Sequence, residues 1–407
     1  MRSVMIIGGG AQGNVLCGVL SRAHDVERIV LGDVALDRAK EVAHFVGSDK
    51  IDVERVDASN VSQMERVMRA GSFDLIVNAT LPLFNRQIME ATLKAKANYL
   101  DMASGDIFEK NGGLSVDQLE FAGDFEAAGL KAFILMGSDA GLVNLMAKEA
   151  ADELDEIDYI GIKDYGILEC DEPVALWSMP TFLMDCNEPA VYWENGEYKR
   201  APIFSGEEEY HFPEPLDVKG KVYYHMHEEP VTIPQFIGKP VRYCDFKMGE
   251  PGSGIWEFLV KGLGLMDSEP VDVDGCMVSP RNLLVKKIPK TLTPKKLIDM
   301  IKNRRIMSRL QLAVDVEGNK GKRKLHYKMW TESPNIVQAC EKIPGASDVS
   351  WLTSVPASIA SLMLLRKQIK HTGVFPAEVL DKEERDIFFE GIRAWDIIIH
   401  KQINMDV

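Results

Sequence analysis

The sequence predicts an α/β protein, with a doubly wound parallel sheet followed by an α+β domain built on a largely antiparallel sheet. Three observations indicate this. Short apolar segments alternate with amphipathic segments over the first third of the chain, which is typical of right-handed βαβ units. A glycine-rich turn follows the first apolar segment directly. From about Ile157 the alternation gives way to paired strands joined by tight turns.

Composition limits the class of protein before any motif is considered. The 407 residues are enough for at least two domains. The net charge of −15 argues against nucleic acid or an anionic membrane as a partner. We find no run apolar enough to cross a bilayer, and the first residues lead into a core strand rather than a signal peptide. Six cysteines without a C-x-x-C pair predict free thiols and a cytoplasmic protein.

The first element is a strand, a glycine-rich turn and a helix. Ser3 to Ile7 is a short apolar run, and Gly8, Gly10 and Gly13 follow in the pattern G-x-G-x-x-G. A second apolar run ends at Asp33, twenty residues after Gly13, where a ribose-binding acid is expected. This context predicts the Rossmann type of parallel sheet with a bound dinucleotide.

Each part of this motif has a physical reason. Gly8 allows the sharp turn, Gly10 lets a pyrophosphate approach the backbone, and Gly13 lets helix and strand pack closely. Ala11 and Gln12 begin the helix, whose amides and dipole favour phosphate. Asp33 favours NAD because it repels a 2′-phosphate, whereas Arg38 could tolerate one, so NADP is not excluded. The alternative is a glycine-rich turn without a ligand.

The next elements continue the alternation and should complete a six-stranded parallel sheet. Predicted helices cover 36–45, 61–70, 85–96 and 116–128, and predicted strands cover 52–56, 73–77, 99–101 and 131–136. Ligands bind beyond the carboxyl ends of such strands. The residues expected there are Asp57, Asn78, Ala79, Thr80, Pro82, Asp101 and Gly137. Asp57 could reach the adenine or could simply cap its loop, and the two alternatives stay open.

A second informative stretch runs from Gly137 to Asn144 and enters a helix over 143–152. A carboxylate at a helix start is stabilised by the dipole, so Asp139 is a candidate for chemistry. An N-cap role for Ser138 or Asp139 would explain the residue types equally well.

The run Gly-Ser-Asp-Ala-Gly-Leu-Val-Asn resembles the G-x-D-P-G-x-x-N signature of the saccharopine dehydrogenase (saccharopine reductase-like) family, which includes lysine 6-dehydrogenases and carboxynorspermidine dehydrogenases. Further similarity lies at 78–82, 271–276 and 356–360. There are departures, since Ala140 replaces the usual proline, and Ser354 and Val355 replace Gly-Thr. The resemblance spans nearly the whole chain.

The resemblance implies an NAD(P)-dependent oxidoreductase, active as a homodimer, that acts on a C–N bond of an amino acid or polyamine derivative, with a place in lysine or other amino acid metabolism. It implies a dinucleotide-binding domain over 1–145, a substrate and dimerisation domain over 146–350, and a helical segment over 351–407 that returns to the first domain. Asp139 would stabilise the iminium and orient the amine, and Asp101 is a second catalytic candidate. The cofactor carries the hydride chemistry.

The middle of the chain predicts hairpins. Asn195-Gly196 joins strands at 190–194 and 197–200, Asp274-Gly275 joins 271–273 to 276–278, and alternating residues predict strands at 309–317 and 324–329. The polar run from His225 to Glu229 lacks a third ligand at convincing spacing, so we predict no metal and prefer a structural role for both histidines over a catalytic one.

Several cations could hold a substrate carboxylate, but the sequence does not choose among Arg242, Lys247 and Arg281. The basic run from Lys286 to Arg309 is better explained as a solvated face. At the end of the chain, helices are predicted at 351–370, capped by Ser354 with Pro356 in the first turn, and at 383–392.

Two other classes of protein remain open from sequence. One is a regulator that senses NAD without turnover. The other is an assembly protein on a degenerate dinucleotide fold, against which the intact glycines argue.

Overall fold

A computed structural model describes residues 2–405. Met1 and the last two residues, at the ends of the predicted segments 1–145 and 351–407, lie outside the described residues. Within them, two large sheets organise the chain: a seven-stranded parallel sheet and a nine-stranded mixed sheet. The predicted fold class is confirmed.

The first part of the chain alternates strands and helices as the apolar pattern predicts. Its elements are β1 (Ser3–Ile7), α1 (Ala11–Arg22), β2 (Arg28–Asp33), α2 (Leu36–Val46), β3 (Ile51–Arg55), α3 (Val61–Gly71), β4 (Leu75–Asn78), α4 (Asn85–Ala95), β5 (Asn98–Leu100), β6 (Ile107–Lys110), β7 (Gly113–Val116), α5 (Ala122–Ala127), β8 (Lys131–Phe133) and α6 (Leu142–Ala151).

One predicted helix is wrong in its first half. Val116 ends strand β7 instead of starting a helix, and a short 3-10 helix over Asp117–Phe121 precedes α5. The turn between β6 and β7 contains Asn111 at φ 53° and Gly112 at φ 80°. Such a pair fits a tight hairpin turn because both central residues need positive φ. The Asn-Gly pair was therefore the signal that the sequence analysis missed.

The second part builds the mixed sheet and then returns to the first one. Its elements are β9 (Glu156–Cys170), α7 (Met179–Asp185), β10 (Ala190–Glu194), β11 (Glu197–Ala201), β12 (Glu208–Phe212), β13 (Val218–Tyr224), α8 (Glu229–Phe236), β14 (Tyr243–Gly249), α9 (Ser253–Glu257), β15 (Val271–Val273), β16 (Cys276–Val278), α10 (Pro280–Lys287), α11 (Pro294–Lys302), β17 (Ile306–Lys320), β18 (Arg323–Glu332), α12 (Ile336–Lys342), α13 (Asp348–Leu365), β19 (Gly373–Phe375), α14 (Lys382–Arg393) and β20 (Ile398–Met405).

The parallel sheet has the strand order β19-β8-β5-β4-β1-β2-β3. The predicted six strands are present, and β19, from the C-terminal part of the chain, adds a seventh beside β8. Its three residues are too few to show a period in sequence. The order reverses at β1, so the carboxyl ends of β1, β2 and β4 meet at one crevice, where nucleotides bind in such folds.

The mixed sheet follows the order β11-β10-β14-β9-β17-β18-β20, with β13 also pairing β14 and β12 pairing β13. The hairpins predicted at 190–200, 271–278 and 309–329 are confirmed, and the third extends from Ile306 to Glu332. The pairing of β14 with β9 is parallel, whereas the other pairs are antiparallel. The C-terminal segment contributes a strand to each large sheet, which the sequence analysis did not predict.

Helix α13 is the buried link between the two sheets. It packs on α1 and also contacts β4, β5, β17 and α14. It begins at Asp348 rather than Trp351, because Ser347 is the N-cap and its Oγ accepts a hydrogen bond from the Ser350 amide at 3.1 Å. The predicted cap by Ser354 is therefore wrong, and Pro356 lies inside the helix. By length and composition α13 is apolar enough to cross a bilayer, which we did not expect from sequence, but 89% of it is buried in the protein.

Candidate active site

The glycine-rich turn has the shape that a dinucleotide needs. Gly8 has φ 116°, and a Cβ there would lie 2.3 Å from the Ala79 carbonyl oxygen. A Cβ on Gly13 would lie 1.9 Å from the Gly8 carbonyl oxygen, so helix and strand can pack only because Gly13 lacks one. A Cβ on Gly10 would meet nothing within 4 Å. The space in front of Gly10 is thus free for a pyrophosphate, as the motif requires.

The start of α1 is polarised toward this space. Gly10 is the N-cap and offers no side-chain hydrogen bond to the first-turn amides, so the amides of Ala11 and Gln12 can face a phosphate. The Gln12 side chain turns the other way, because its Oε1 accepts a hydrogen bond from Ser354 Oγ at 2.5 Å. These residues fit an NAD(P) diphosphate.

Asp33 ends β2 at the ribose position. The side chain is 7% exposed; its Oδ2 accepts a hydrogen bond from the Gly9 amide, and its Oδ1 accepts one from the Ala35 amide, both at 2.7 Å. A carboxylate has about four acceptor positions, so two remain for ribose hydroxyls. Arg38 is exposed on α2, where it could meet a 2′-phosphate. The geometry accommodates NAD and leaves NADP open.

The other predicted nucleotide residues differ in how free their side chains are. Asp57 accepts hydrogen bonds from the amide and the hydroxyl of Ser59, which lower its pKa. This is the loop-capping alternative, and contact with adenine stays a prediction. Asn78 is buried and fully engaged by Asn85, Tyr99 and Thr80. Its role is to hold the loop of Ala79, Thr80 and Pro82, whose backbone follows β4 at the crevice.

Asp101 is also enclosed by protein groups. Its Oδ1 accepts a hydrogen bond from the Leu135 amide at 2.8 Å, and its Oδ2 accepts one from Gln118 at 3.1 Å. It is 1% exposed, and burial raises the pKa of the carboxyl to about 7. This geometry ties the ends of β5 and β8 together. It supports a structural role for Asp101 rather than contact with a substrate.

Asp139 lies in a compact turn at the mouth of the cleft between the two sheets. Gly137 donates its amide to the Ala140 carbonyl at 2.8 Å, and the Gly141 amide donates to Asn144 Oδ1 at 2.8 Å. Ser138 Oγ donates to Asp139 Oδ1 at 2.5 Å and lies 3.1 Å from Thr353 Oγ1 on α13. The turn is thus fixed by its own hydrogen bonds and by α13, and the half-buried Asp139 carboxylate is held in place.

The structure brings residues to Asp139 that the sequence analysis did not connect with it. Asp164, in the middle of β9, is 5% exposed and lies within hydrogen-bond reach of the Asp139 carboxyl. Burial and then Asp139 raise the pKa of Asp164 well above its usual range. Its one sequence signal was the Lys163-Asp164 pair inside the otherwise uncharged stretch 159–168, since buried charges in a strand interior need a specific reason.

The two histidines of the polar run behave differently. His225 is buried, and burial lowers its pKa to about 3, so it is neutral. Burial also opposes a charge on His227, but Glu229 and Glu228 outweigh it and raise the pKa of His227 well above its usual range. The Nδ1 of His227 lies 2.6 Å from Glu229 and 3.3 Å from Glu228, and its ring stacks on Phe246 at 4.0 Å. His227 is therefore a half-buried cation, for which we had preferred a structural role over a catalytic one.

The run His227, Glu228 and Glu229 places its ligand atoms within 4.8 Å of one another, which is close enough for a metal ion. These atoms are already engaged, however. His227 pairs with Glu229, and Glu228 Oε1 accepts hydrogen bonds from the Ser104 amide at 2.7 Å and its hydroxyl at 2.9 Å. The arrangement favours an ion-pair network that joins the two domains, and it gives no reason to add a metal.

A cavity of about 30 Å³ opens beside this network in the mixed-sheet domain. Its acidic groups are Asp185, Glu188 and Glu250, and its aromatic walls are Phe182, Phe204, Tyr223, Tyr224 and Trp256. Burial raises the pKa of Asp185 to about 7, and Asp185 feels the charges of His227 and Glu228. Carboxylates and aromatic faces together suit a cationic ligand.

The cations that we considered for a substrate carboxylate are elsewhere or already paired. Lys247 donates to Glu208 at 2.8 Å and lies over the Tyr224 ring. Arg242 is exposed and pairs with Asp158 at 3.4 Å, and Arg281 is exposed on α10. The basic run lies largely on α10, α11 and β17, where the Lys295 amide donates to Glu41 on α2 at 3.1 Å.

Both parts of the chain match models of known protein families. Residues 4–133 match the family model of the saccharopine dehydrogenase NADP binding domain, and residues 137–392 match that of the saccharopine dehydrogenase C-terminal domain. The chain is 28% identical to a carboxynorspermidine synthase of Vibrio cholerae, with 97% of each chain covered. It is 24% identical to a carboxyaminopropylagmatine dehydrogenase of Synechocystis, covering 99% of this chain and 98% of that one.

Among solved structures, apo saccharopine dehydrogenase (L-Glu forming) from Saccharomyces cerevisiae has the same fold. It superimposes with a TM-score of 0.68 at 14% identity over 100% of both chains. At that identity the similarity concerns the fold.

Proposed function

The chain belongs to the saccharopine dehydrogenase family of NAD(P)-dependent oxidoreductases, and on this premise we propose that it acts on a C–N bond of a cationic, polyamine-derived amine. The family resemblance inferred from the Gly137–Asn144 run is thereby confirmed. One observation carries the substrate class: the cavity beside the His227 network is lined by carboxylates and aromatic rings rather than by free cations.

The electrostatics favour an amine-rich substrate over saccharopine, which carries several carboxylates. Asp139, Asp164, Glu228 and Glu229 surround one half-buried imidazolium, so the described groups leave an excess of negative charge. A substrate ammonium would compensate it, whereas a further carboxylate would add to the repulsion. The names of the two curated relatives, both of which concern polyamine derivatives, support the same class.

The nucleotide would be held by the residues already described. Gly8, Gly10 and Gly13 with the α1 amides would bind the diphosphate, Asp33 the adenosine ribose, and the Thr80 loop the remaining sugar. When bound, the cofactor accepts or donates the hydride at the carbon next to nitrogen. This is the chemistry for which the site needs no nucleophile of its own.

Asp139 then has two tasks that its geometry permits. Its carboxylate can orient the substrate nitrogen and take a proton from it, which leaves the neutral amine that hydride departure requires. It also stabilises the positive charge that develops on nitrogen. Ser138, fixed by Thr353, keeps one carboxylate oxygen in position. The cleft around it is mostly buried, which strengthens both effects.

We further propose a cytoplasmic homodimer. Exposed apolar side chains support self-association, among them Ile255 at 63%, Phe258 at 59% and Met277 at 67% exposure. Analytical ultracentrifugation of the purified chain would test it: a sedimenting species of twice the chain mass is expected, and a monomer at micromolar concentration would contradict it.

The substrate proposal is tested by following nicotinamide absorbance with carboxynorspermidine, carboxyaminopropylagmatine and saccharopine as separate substrates, each with NAD and NADP. Turnover of a polyamine derivative but not of saccharopine is expected. Turnover of saccharopine alone would contradict the substrate class. Binding of nucleotide without turnover of any amine would favour the alternative of an NAD-sensing regulator. Asp139→Asn serves as the inactive control.

A further inference from the structure

Asp164 faces Asp139 from the substrate side of the cleft. It lies in the middle of the fifteen-residue strand β9, and its Oδ1 is buried without a hydrogen-bond partner among the described residues. Its carboxyl group is within hydrogen-bond reach of that of Asp139. Two carboxyl groups in such contact do not both ionise cheaply, so they hold one proton between them.

The other charges around Asp164 come from three elements. Asp139 approaches from the turn between β8 and α6, His227 from the segment before α8, and Glu250 from the end of β14. His227 is already committed to Glu229 and Glu228. Glu250 accepts a hydrogen bond from Trp256 Nε1 at 2.5 Å, and it adds to the negative charge.

The adjacent lysine does not relieve this charge. Successive side chains of a strand point to opposite faces of the sheet, so Lys163 and Asp164 lie on different sides. Lys163 donates to Asp245 at 3.2 Å and to Tyr159 at 3.0 Å, in a separate buried network. In the absence of a ligand, a proton is therefore what compensates the Asp139–Asp164 pair.

We infer that Asp164 is a positioning residue that holds a displaceable proton against Asp139, and that binding of a cationic amine expels this proton to solvent. The inference rests on the proposed function for the identity of the cation. The balance is simple: the carboxyl pair with one proton and the substrate ammonium become two carboxylates, the bound ammonium and one free proton. One O–H bond breaks, and nothing is oxidised or reduced.

This exchange has a consequence that a purely structural aspartate would not have. While the pair is protonated, each unit of pH should tighten amine binding by about tenfold, because one proton leaves per cation bound. Once the shared proton has left, the Asp139 carboxylate is no longer tied to Asp164 by a hydrogen bond and is available to the substrate nitrogen. The cation that is to react thus prepares its own base.

Calorimetric titration of the full chain with norspermidine, without nucleotide, in buffers of different ionisation enthalpy measures the protons released. About one proton per bound triamine is expected at neutral pH, and none in Asp164→Asn. Asp348→Asn is the matched control, because Asp348 is an equally buried carboxyl that accepts a hydrogen bond from Ser308 at 2.8 Å. Asp348→Asn should release the same proton as the unmodified chain.

Binding without proton release, or unchanged release in Asp164→Asn, overturns the inference while the substrate class survives. A second readout needs no ligand. At neutral pH the protonated-carboxyl band in the infrared spectrum of the unmodified chain should lose intensity in Asp164→Asn, and unchanged intensity overturns the shared proton. If the band is present and no triamine binds, the proposed polyamine substrate fails, and coupled release fails with it.

Discussion

The nucleotide crevice and the cleft around Asp139 present different kinds of chemical group to their ligands. The crevice offers backbone amides, glycines without Cβ atoms and one carboxylate whose two oxygens are held by amides of Gly9 and Ala35. The cleft is built from buried carboxyl groups and one imidazole that come from distant parts of the chain. Backbone amides do not titrate, whereas buried carboxyls do. Nucleotide binding at the crevice should therefore depend on shape, and amine binding at the cleft should depend on protonation.

The largest difference between the two regions should appear when the charge at the cleft is removed. Asp139→Asn is expected to lower kcat by about 100-fold to 10,000-fold, the usual range for loss of a general acid–base. The Kd for nucleotide, measured by fluorescence titration, should not change, because Asp139 takes no part in the diphosphate turn. Full turnover in the variant would remove Asp139 from the mechanism.

A substitution that changes the shape of the crevice should instead weaken the binding of nucleotide. Gly10→Ala places a methyl group where nothing lies within 4 Å, at φ −87°, so the fold should tolerate it. The methyl group would occupy the position of the pyrophosphate and weaken nucleotide binding by about tenfold or more, or 1.4 kcal/mol. Gly123→Ala is the matched control, since a Cβ there also meets nothing within 4 Å. Equal nucleotide affinity in both variants would show that the crevice is not the binding site.

The pH dependence of ligand affinity should distinguish the two regions in the unmodified protein. Burial raises the pKa of Asp185 to about 7 and that of Asp164 well above its usual value, so both carboxyls are neutralised as pH falls. Amine affinity should then rise with pH through about 7, by up to about tenfold per unit for each proton lost. Nucleotide affinity should stay nearly flat. Calorimetry from pH 6 to pH 8 measures both, and parallel curves would contradict the distinction.

The smallest expected effect lies at the contact that joins the two regions. Ser354 on α13 donates to Gln12 at the start of α1 at 2.5 Å. Ser354→Ala should lower the free energy of unfolding by about 1 kcal/mol, as is usual for one hydrogen bond. Ser361→Ala, which removes a hydroxyl that bonds only to its own helix at the Ala357 carbonyl, is the comparison. Equal denaturation midpoints for the two variants would mean that the contact to Gln12 adds no stability of its own.

The two regions also differ in how far the sequence predicts them. The crevice is local: Ser3 to Asp33 is one βαβ segment, and each glycine has a steric reason that a pattern can show. The cleft is assembled from β9, the Gly137–Asn144 turn and the segment before α8. Their meeting depends on tertiary packing, so Asp164 and Asp185 were missed, and a structural role was preferred for His227.

Helix α13 shows the same limit in the fold. Its apolar composition predicts a buried helix, but its start was misplaced because Ser347 and Ser354 are both good caps in sequence. Packing on α1 decides between them, since Ser354 Oγ is used by Gln12. The strands β19 and β20 were missed for a related reason, because each joins a sheet whose other strands lie far away in sequence.

The central claim is that this chain moves a hydride between a nicotinamide and the carbon next to nitrogen in a cationic amine. Reduced cofactor deuterated at the transferring position, incubated with the chain, a diamine and an amino-acid semialdehyde, tests it directly by mass spectrometry. The expected product is a secondary amine that carries one deuterium, on the carbon newly bonded to nitrogen. A product without deuterium, or with deuterium on any other carbon, would contradict it.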